Sequence, residues 1–278
     1  MVDLRALFVT LATVMAVHPA TAQERRPSHC IALADRTPGA VYLHKASWTE
    51  PVEEFTVRIN YIDHATFLLQ TEGGLTAATD FTGFLGVVDL VPDVVTMNNA
   101  HETHWTSIPD PRIPHVLQGW AQDGVAADHS LDLDEMLVRN VPTDIRSRFG
   151  PGRENDGNSI FIFEVAGLCI GHLGHLHHEP SDAQYAAIGR LDVVMAAVDG
   201  GISLDTPTML RVLKRLRASI VLPMHWFSIS SLEEFLVGMS EDYAVVRSDE
   251  SSIEVNLRSL PERPTIYLLR TSFLRDPE

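Results

Sequence analysis

The sequence predicts an α/β fold: a mixed β-sheet system with helices on its outside, built as one domain. Three observations lead there. Short apolar runs separated by turn residues fill the first half of the chain. Apolar strands alternate with capped helices in the second half, and strand–helix–strand order implies parallel pairing with helices on the sheet faces. No linker divides the 278 residues, and with 45% hydrophobic and 21% charged residues the chain is long enough to bury a substantial core.

The first element is set apart. "LRALFVTLATVMAVHPATAQ" (4–23) is an apolar run followed by small residues, and Ala20, Thr21 and Ala22 fit a signal-peptidase site. The run is too short for a spanning helix. Residues 1–22 are therefore expected to be a signal peptide and 23–278 the folded domain, in a periplasmic or secreted protein. A buried N-terminal helix is the alternative.

Residues 23–40 read as an irregular lead-in. Strands follow: "VYLHKAS" (41–47), "FTVRINYI" (55–62), "ATFLLQT" (65–71), a turn at Gly73 and Gly74, then "LTAAT" (75–79). "DVVTM" (93–97) is a short buried strand. Residues 105–134 are rich in loops, with one helix expected over 114–121. "SIFIFEV" and "LCIGHL" flank Ala166 and Gly167 as a hairpin.

The pattern then changes. Ser181 and Gln184 have capping-box spacing, so a helix starts there. "LDVVMAAV" is a strand. In "TPTMLRVLKRLR", Thr206 is expected at the N-cap with Pro207 in the first turn. "SIVLPMH" is the next strand and "SSLEEFLVGM" the next helix, with further strands near 243–247, 253–257 and 265–270.

The formal net charge is −16. Residues 1–22 hold one Asp and one Arg, so their removal leaves it unchanged. Such a chain repels phosphate backbones, which excludes nucleic acid as a partner. A small-molecule substrate is expected, with no membrane association after signal removal. The two cysteines, Cys30 and Cys169, pair in an oxidising compartment or remain as buried thiols; they form no zinc ligand pair.

"GHLGHLHH" (171–178) places four histidines in eight positions. Metal geometry tolerates little drift, so ligand histidines belong where a rigid strand ends. Three places satisfy this: His101 and His104 after "DVVTM", His172, His175 and His177 after "LCI", and His225 after "SIVLPM". Sites in α/β sheets gather at the carboxyl ends of strands, so these clusters can converge. His172 reads as a satisfied core histidine, with a ligand role as the alternative, and His178 as exposed. His177 is a ligand or a donor behind one.

The motifs resemble the metallo-β-lactamase superfamily, and within it the ascorbate-6-phosphate-lactonase-like branch, over about residues 55–230. "YIDHATFLLQTEGGLTAATD" is similar to that branch's opening hairpin. "VVTMNNAHETHW" lies where an H-x-H-x-D-H signature is expected, "GNSIFIFEVAGLCIGHLGHLHH" where a stretch ending in H-L-G-D-x-G-H is, and "IVLPMHW" matches a closing P-M-H. The resemblance implies an αββα sandwich of two mixed β-sheets with outer helices. It also implies a metal-dependent hydrolase. Four positions depart from the pattern. Asn99 replaces the first signature histidine and Thr103 the signature aspartate. His175 replaces the bridging aspartate and His177 the glycine after it.

The expected ligand set is His101, His104, His175 and His225, holding one or two Zn2+, with Mn2+ or Fe2+ also suited to imidazole. Neutral imidazoles leave the full 2+ charge on the ion, which can bring a bound water to a pKa of about 7. The expected reaction is attack by metal-bound hydroxide on a small-molecule ester, lactone or phosphoester. Thr103 cannot act as a base at neutral pH, so Asp80, His64 and His177 are the candidate catalytic residues. Asp199 ends a strand and reads as a turn residue or as one that orients a ligand. Trp105 and Trp226 line a pocket mouth or pack in the core. The loss of two carboxylates motivates an alternative: a non-catalytic metal-binding or sensory protein on the same fold.

Overall fold

The computed structural model describes residues 25–32, 47–147 and 150–276. The expected signal peptide and most of the expected strand at 41–47 lie outside the described residues. After a short helix α1 (His29–Ala32) come β1 (Val57–Asp63), β2 (Thr66–Gln70), β3 (Thr76–Ala78), β4 (Gly86–Val87), β5 (Val94–Met97) and β6 (His115–Gln118). The middle of the chain forms β7 (Ser130–Asp132), β8 (Met136–Arg146), β9 (Arg153–Val165) and β10 (Leu168–His172). Then α2 (Asp182–Ile188), β11 (Val193–Ala197), α3 (Thr206–Leu216), β12 (Ile220–Met224) and α4 (Ile229–Met239) alternate. Strands β13 (Ala244–Arg247), β14 (Ser252–Val255), β15 (Thr265–Leu268) and β16 (Leu274–Arg275) complete it.

Two mixed sheets make the fold, six strands in the order β14-β1-β2-β3-β5-β6 and eight in the order β13-β15-β12-β11-β10-β9-β8-β7. Their facing sides share one apolar cluster: Ile59, Phe67 and Leu69 meet Phe161, Phe163, Met195 and Leu222. The strand–helix–strand stretch pairs in parallel as expected, β10 with β11 and β11 with β12. Helices α2, α3 and α4 cover the other side of the larger sheet through Ile188, Leu213 and Phe235. The outer side of the smaller sheet is covered by loop residues, among them Phe81, Leu85, Ile113 and Trp120.

Two local expectations are corrected. Residues 115–118 form a strand, paired in parallel with β5, where a helix was expected over 114–121. Pairing satisfies the backbone groups of β6 along the open edge of β5, and this outweighs local propensity. At α3 the N-cap is Asp205 and not Thr206: its carboxylate accepts the Thr208 N–H at 3.0 Å. A carboxylate is the better acceptor at the positive end of a helix. At α2 the expected capping box of Ser181 and Gln184 is present.

Cys30 and Cys169 form a disulfide that ties α1 to β10 across 139 residues of sequence. The same arm is held by Glu164, which accepts from the His29 backbone N–H at 2.9 Å and from Arg139 at 2.7 Å.

Candidate metal centre

Strand ends build the site. His64 sits in the turn between β1 and β2, Asp80 two residues beyond β3, and His225 directly after β12. All three have positive φ, at 47°, 41° and 58°. Non-glycine residues rarely hold that conformation without support from their surroundings, and such residues cluster at functional sites. The support here is specific. The His64 carbonyl accepts the Tyr61 hydroxyl at 2.8 Å and the His225 backbone N–H at 3.0 Å. The Asp80 carbonyl accepts the Thr66 hydroxyl at 2.8 Å.

His104 and His225 are each oriented by a carboxylate. His104 donates from Nδ1 to Asp80 at 2.8 Å, and the other Asp80 oxygen accepts the Asn98 backbone N–H at 2.8 Å. His225 donates from Nδ1 to Asp199 at 2.9 Å. Asp199 also accepts the backbone N–H of Gly201 at 2.9 Å and of Ser203 at 3.0 Å. In both histidines the remaining lone pair is therefore on Nε2, the arrangement seen where a carboxylate backs a metal-bound imidazole.

The rings converge. Centroids lie 4.1 Å apart for His64 and His225, 5.2 Å for His64 and His104, and 5.1 Å for His104 and His225. Nitrogens of these three lie within 4.8 Å of one another, and so do ligand atoms of His175, Asp199 and His225. His175 packs 4.9 Å from His104 and 5.1 Å from His225. The Nε2 atoms of His64 and His104 are buried with no hydrogen-bond partner. A buried polar atom without a partner is costly. Two in one cluster of imidazoles fit a cation between them.

Protonation agrees. Burial, followed by repulsion from neighbouring imidazoles, pulls His64 and His104 down to about 3 and His175 to about 2. The rings are neutral at pH 7, so lone pairs are available. Burial pushes Asp80 up to about 6, against the pull of His172 and the Asn98 amide. Burial alone would raise Asp199 too, but hydrogen bonds from His225, Gly201 and Ser203 hold it well below the usual range.

The structure brings some of the expected site residues together and separates others. His104, His175 and His225 come together, joined by His64, which was expected as a catalytic residue and stands among the ligand atoms. His101 is exposed, its ring 5.8 Å from both His104 and His175, and its Nδ1 lies 3.1 Å from the Thr103 hydroxyl. It joins neither ligand group. A general-base role for Asp80 does not fit: it has no exposed surface, and both oxygens are engaged behind His104. His177 contacts His175 and joins neither ligand group. His172 is a core histidine as expected, its Nε2 2.8 Å from the Ala65 carbonyl and its Nδ1 accepting the Gly174 N–H at 3.1 Å. Trp226 does both expected jobs, packing against the core and lining the pocket. Asp199, two residues beyond β11, fills both roles the sequence left open: it orients His225 and accepts backbone N–H groups of the turn that follows.

A cavity of about 560 Å³ opens onto His64 and His225. Tyr61, Trp226 and Phe227 supply an aromatic side, and Asp63, Glu102 and Thr103 a polar one. No helix among the described residues is long and apolar enough to cross a membrane.

The paired sheets with a histidine cluster at their strand ends define a class, the metallo-hydrolase fold. Residues 58–225 match the β-lactamase superfamily domain, and the chain belongs to that family. Among solved structures it is similar to a candidate zinc-dependent hydrolase of the metallo-β-lactamase superfamily from Thermotoga maritima. The identity is 23% and the TM-score 0.55, over 77% of this chain and 98% of that one. It is also similar to Igni18, a metallo hydrolase from the archaeon Ignicoccus hospitalis, at 20% identity and TM-score 0.47, over 67% and 91%. The Thermotoga likeness supports the fold. None of the curated proteins matches.

Proposed function

We propose that this protein is an exported zinc-dependent hydrolase of neutral small-molecule esters or lactones, allied to the ascorbate-6-phosphate-lactonase-like branch. The carrying observation is the pair of orphaned Nε2 atoms on His64 and His104, beside a His225 whose Nδ1 is held by Asp199. His64, His104 and His225 would hold the ion. Three imidazoles suit Zn2+, with Mn2+ and Fe2+ as alternatives. When bound, the ion supplies Lewis acidity, activating water and polarising a carbonyl.

The chain's own groups do the rest. Asp80 and Asp199 keep the Nδ1 protons of His104 and His225 in place. Tyr61, Trp226 and Phe227 offer a face for an apolar substrate body. Asp63 and Glu102 at the same cavity disfavour anionic substrates, which favours an uncharged ester or lactone over a phosphoester. Export is supported by the apolar leader and by the Cys30–Cys169 disulfide, since such bonds persist in oxidising compartments.

The test is elemental analysis with a turnover panel. Wild-type protein is expected to carry about one equivalent of zinc and to cleave esters or lactones. Activity should vanish on chelation and return with metal, and a His104→Ala/His225→Ala variant should carry no metal. Metal uptake without turnover on esters, lactones, thioesters and phosphodiesters would support a sensory or storage role instead. Unchanged metal content in the double variant would reject the site.

A further inference from the structure

The Arg146 backbone N–H donates to His177 Nδ1 at 2.8 Å. A backbone amide can only donate, so that ring nitrogen carries a lone pair. The proton of neutral His177 is therefore on Nε2. This Nε2–H points at His175 Nδ1, 2.8 Å away. His175 Nδ1 is thereby the acceptor, and the proton of neutral His175 sits on its Nε2. The pattern is the reverse of His104 and His225, whose Nδ1 atoms donate to carboxylates.

Given the cation site proposed above, we infer that His175 is not a ligand of the ion but a fixed hydrogen-bond donor to the substrate oxygen that gains negative charge during attack. A coordinating imidazole needs a lone pair, whereas His175 presents an N–H on its Nε2. Its ring lies among His101, His104 and His225. His175 is also a poor proton donor in the full sense. After giving up its Nε2 proton it would need the one on His177 Nε2. His177 would then need a replacement from the Arg146 amide, which does not release one. The chain of bonds holds a proton in place and does not conduct it.

The lock is built in. Arg146 ends β8, and its side chain donates to the Ser203 carbonyl at 2.9 Å, to Gly201 at 3.3 Å and to Ile202. That loop follows Asp199, so one residue sets both the His175 tautomer and the loop behind His225. The His175 backbone N–H donates to Asn158 Oδ1 at 2.9 Å, which fixes the base of the ring. Where the superfamily pattern carries a bridging aspartate, this chain carries a neutral donor.

Two measurements test this. The first is zinc affinity by competition with a chromophoric chelator, on wild type, His104→Ala, His175→Gln and His175→Phe. His104→Ala should lose affinity more than a hundredfold, and both His175 variants should stay within about threefold of wild type. On esters turned over by wild type, His175→Phe should lose about a hundredfold or more in kcat, the scale of one oxyanion donor, and His175→Gln, whose amide still donates, should lose less. A loss of affinity above tenfold in both His175 variants would overturn the inference. The second is the imidazole 15N spectrum of the metal-free wild-type chain, which needs no variant to fold. His175 should show the Nε2–H tautomer, and an Nδ1–H tautomer would overturn the inference. A wild type that takes up no cation would sink the proposed function alone, because the tautomer spectrum still decides His175.

Discussion

His225 and Asp199 sit at the ends of neighbouring parallel strands, and Nδ1 of one lies 2.9 Å from a carboxylate oxygen of the other. The bond sets the tautomer of His225 and leaves its Nε2 free. Replacing Asp199 with Asn keeps the shape but offers a weaker acceptor. We expect Asp199→Asn to bind zinc 10–100-fold more weakly, with little change in the circular dichroism spectrum. Unchanged affinity would mean that His225 needs no orienting partner.

The histidine cluster makes the metal-free fold sensitive to acid. His64 and His104 are held at about 3 and His175 at about 2, by burial first and neighbouring imidazoles second. In the unfolded chain each titrates near 6.5. Between about pH 3 and 6.5 the unfolded state therefore binds more protons, and stability rises with pH. Asp80 opposes this: raised to about 6, it holds its proton in the folded state over the range where the unfolded group has lost it. One carboxylate against three imidazoles leaves the sign with the histidines. Thermal melts in chelator should give a lower Tm at pH 5 than at pH 7; an equal or higher value at pH 5 contradicts the buried, neutral cluster.

The disulfide closes a long loop. In the chain-entropy account a loop of this size stabilises by about 5 kcal/mol, and measured losses run about 2–5 kcal/mol. Cys30→Ser/Cys169→Ser should unfold at lower denaturant than wild type, and added reductant should move wild type toward the variant. Coincident unfolding curves for the two proteins would show that the arm adds nothing.

Gly174 packs where no side chain fits. Its φ is +60°, and an added Cβ would lie 2.5 Å from Asn158 Oδ1 and 2.6 Å from the Asn98 side chain. Asn158 Oδ1 accepts the His175 amide, and the backbone N–H of Asn98 donates to the Asp80 carboxylate. Gly174→Ala is expected to cost about 2 kcal/mol or more, combining clash and a left-handed backbone. Zinc affinity should fall with it. A variant as stable as wild type in urea would show that the loop relaxes freely.

Much of this molecule was legible in the linear chain. The apolar periods located most strands and the three main helices, because burial on a pleated or helical surface leaves a pattern in sequence. The placement of His104 in the loop after β5 and of His225 directly after β12 followed from the same reading, as did His172 as a core residue. The fold alone decided other matters. The 115–118 segment is a strand because β5 offers it an edge. Cys30 and Cys169 pair because the arm lies against β10. Asp80 stands behind His104 while His64 faces it, a difference of side-chain direction that residue type does not encode. Above all, the His175 proton is assigned by a backbone amide 29 positions earlier in the chain. Local patterns follow from each segment's own burial, but ligand geometry and tautomers depend on hydrogen bonds between segments that meet only once the sheets have packed.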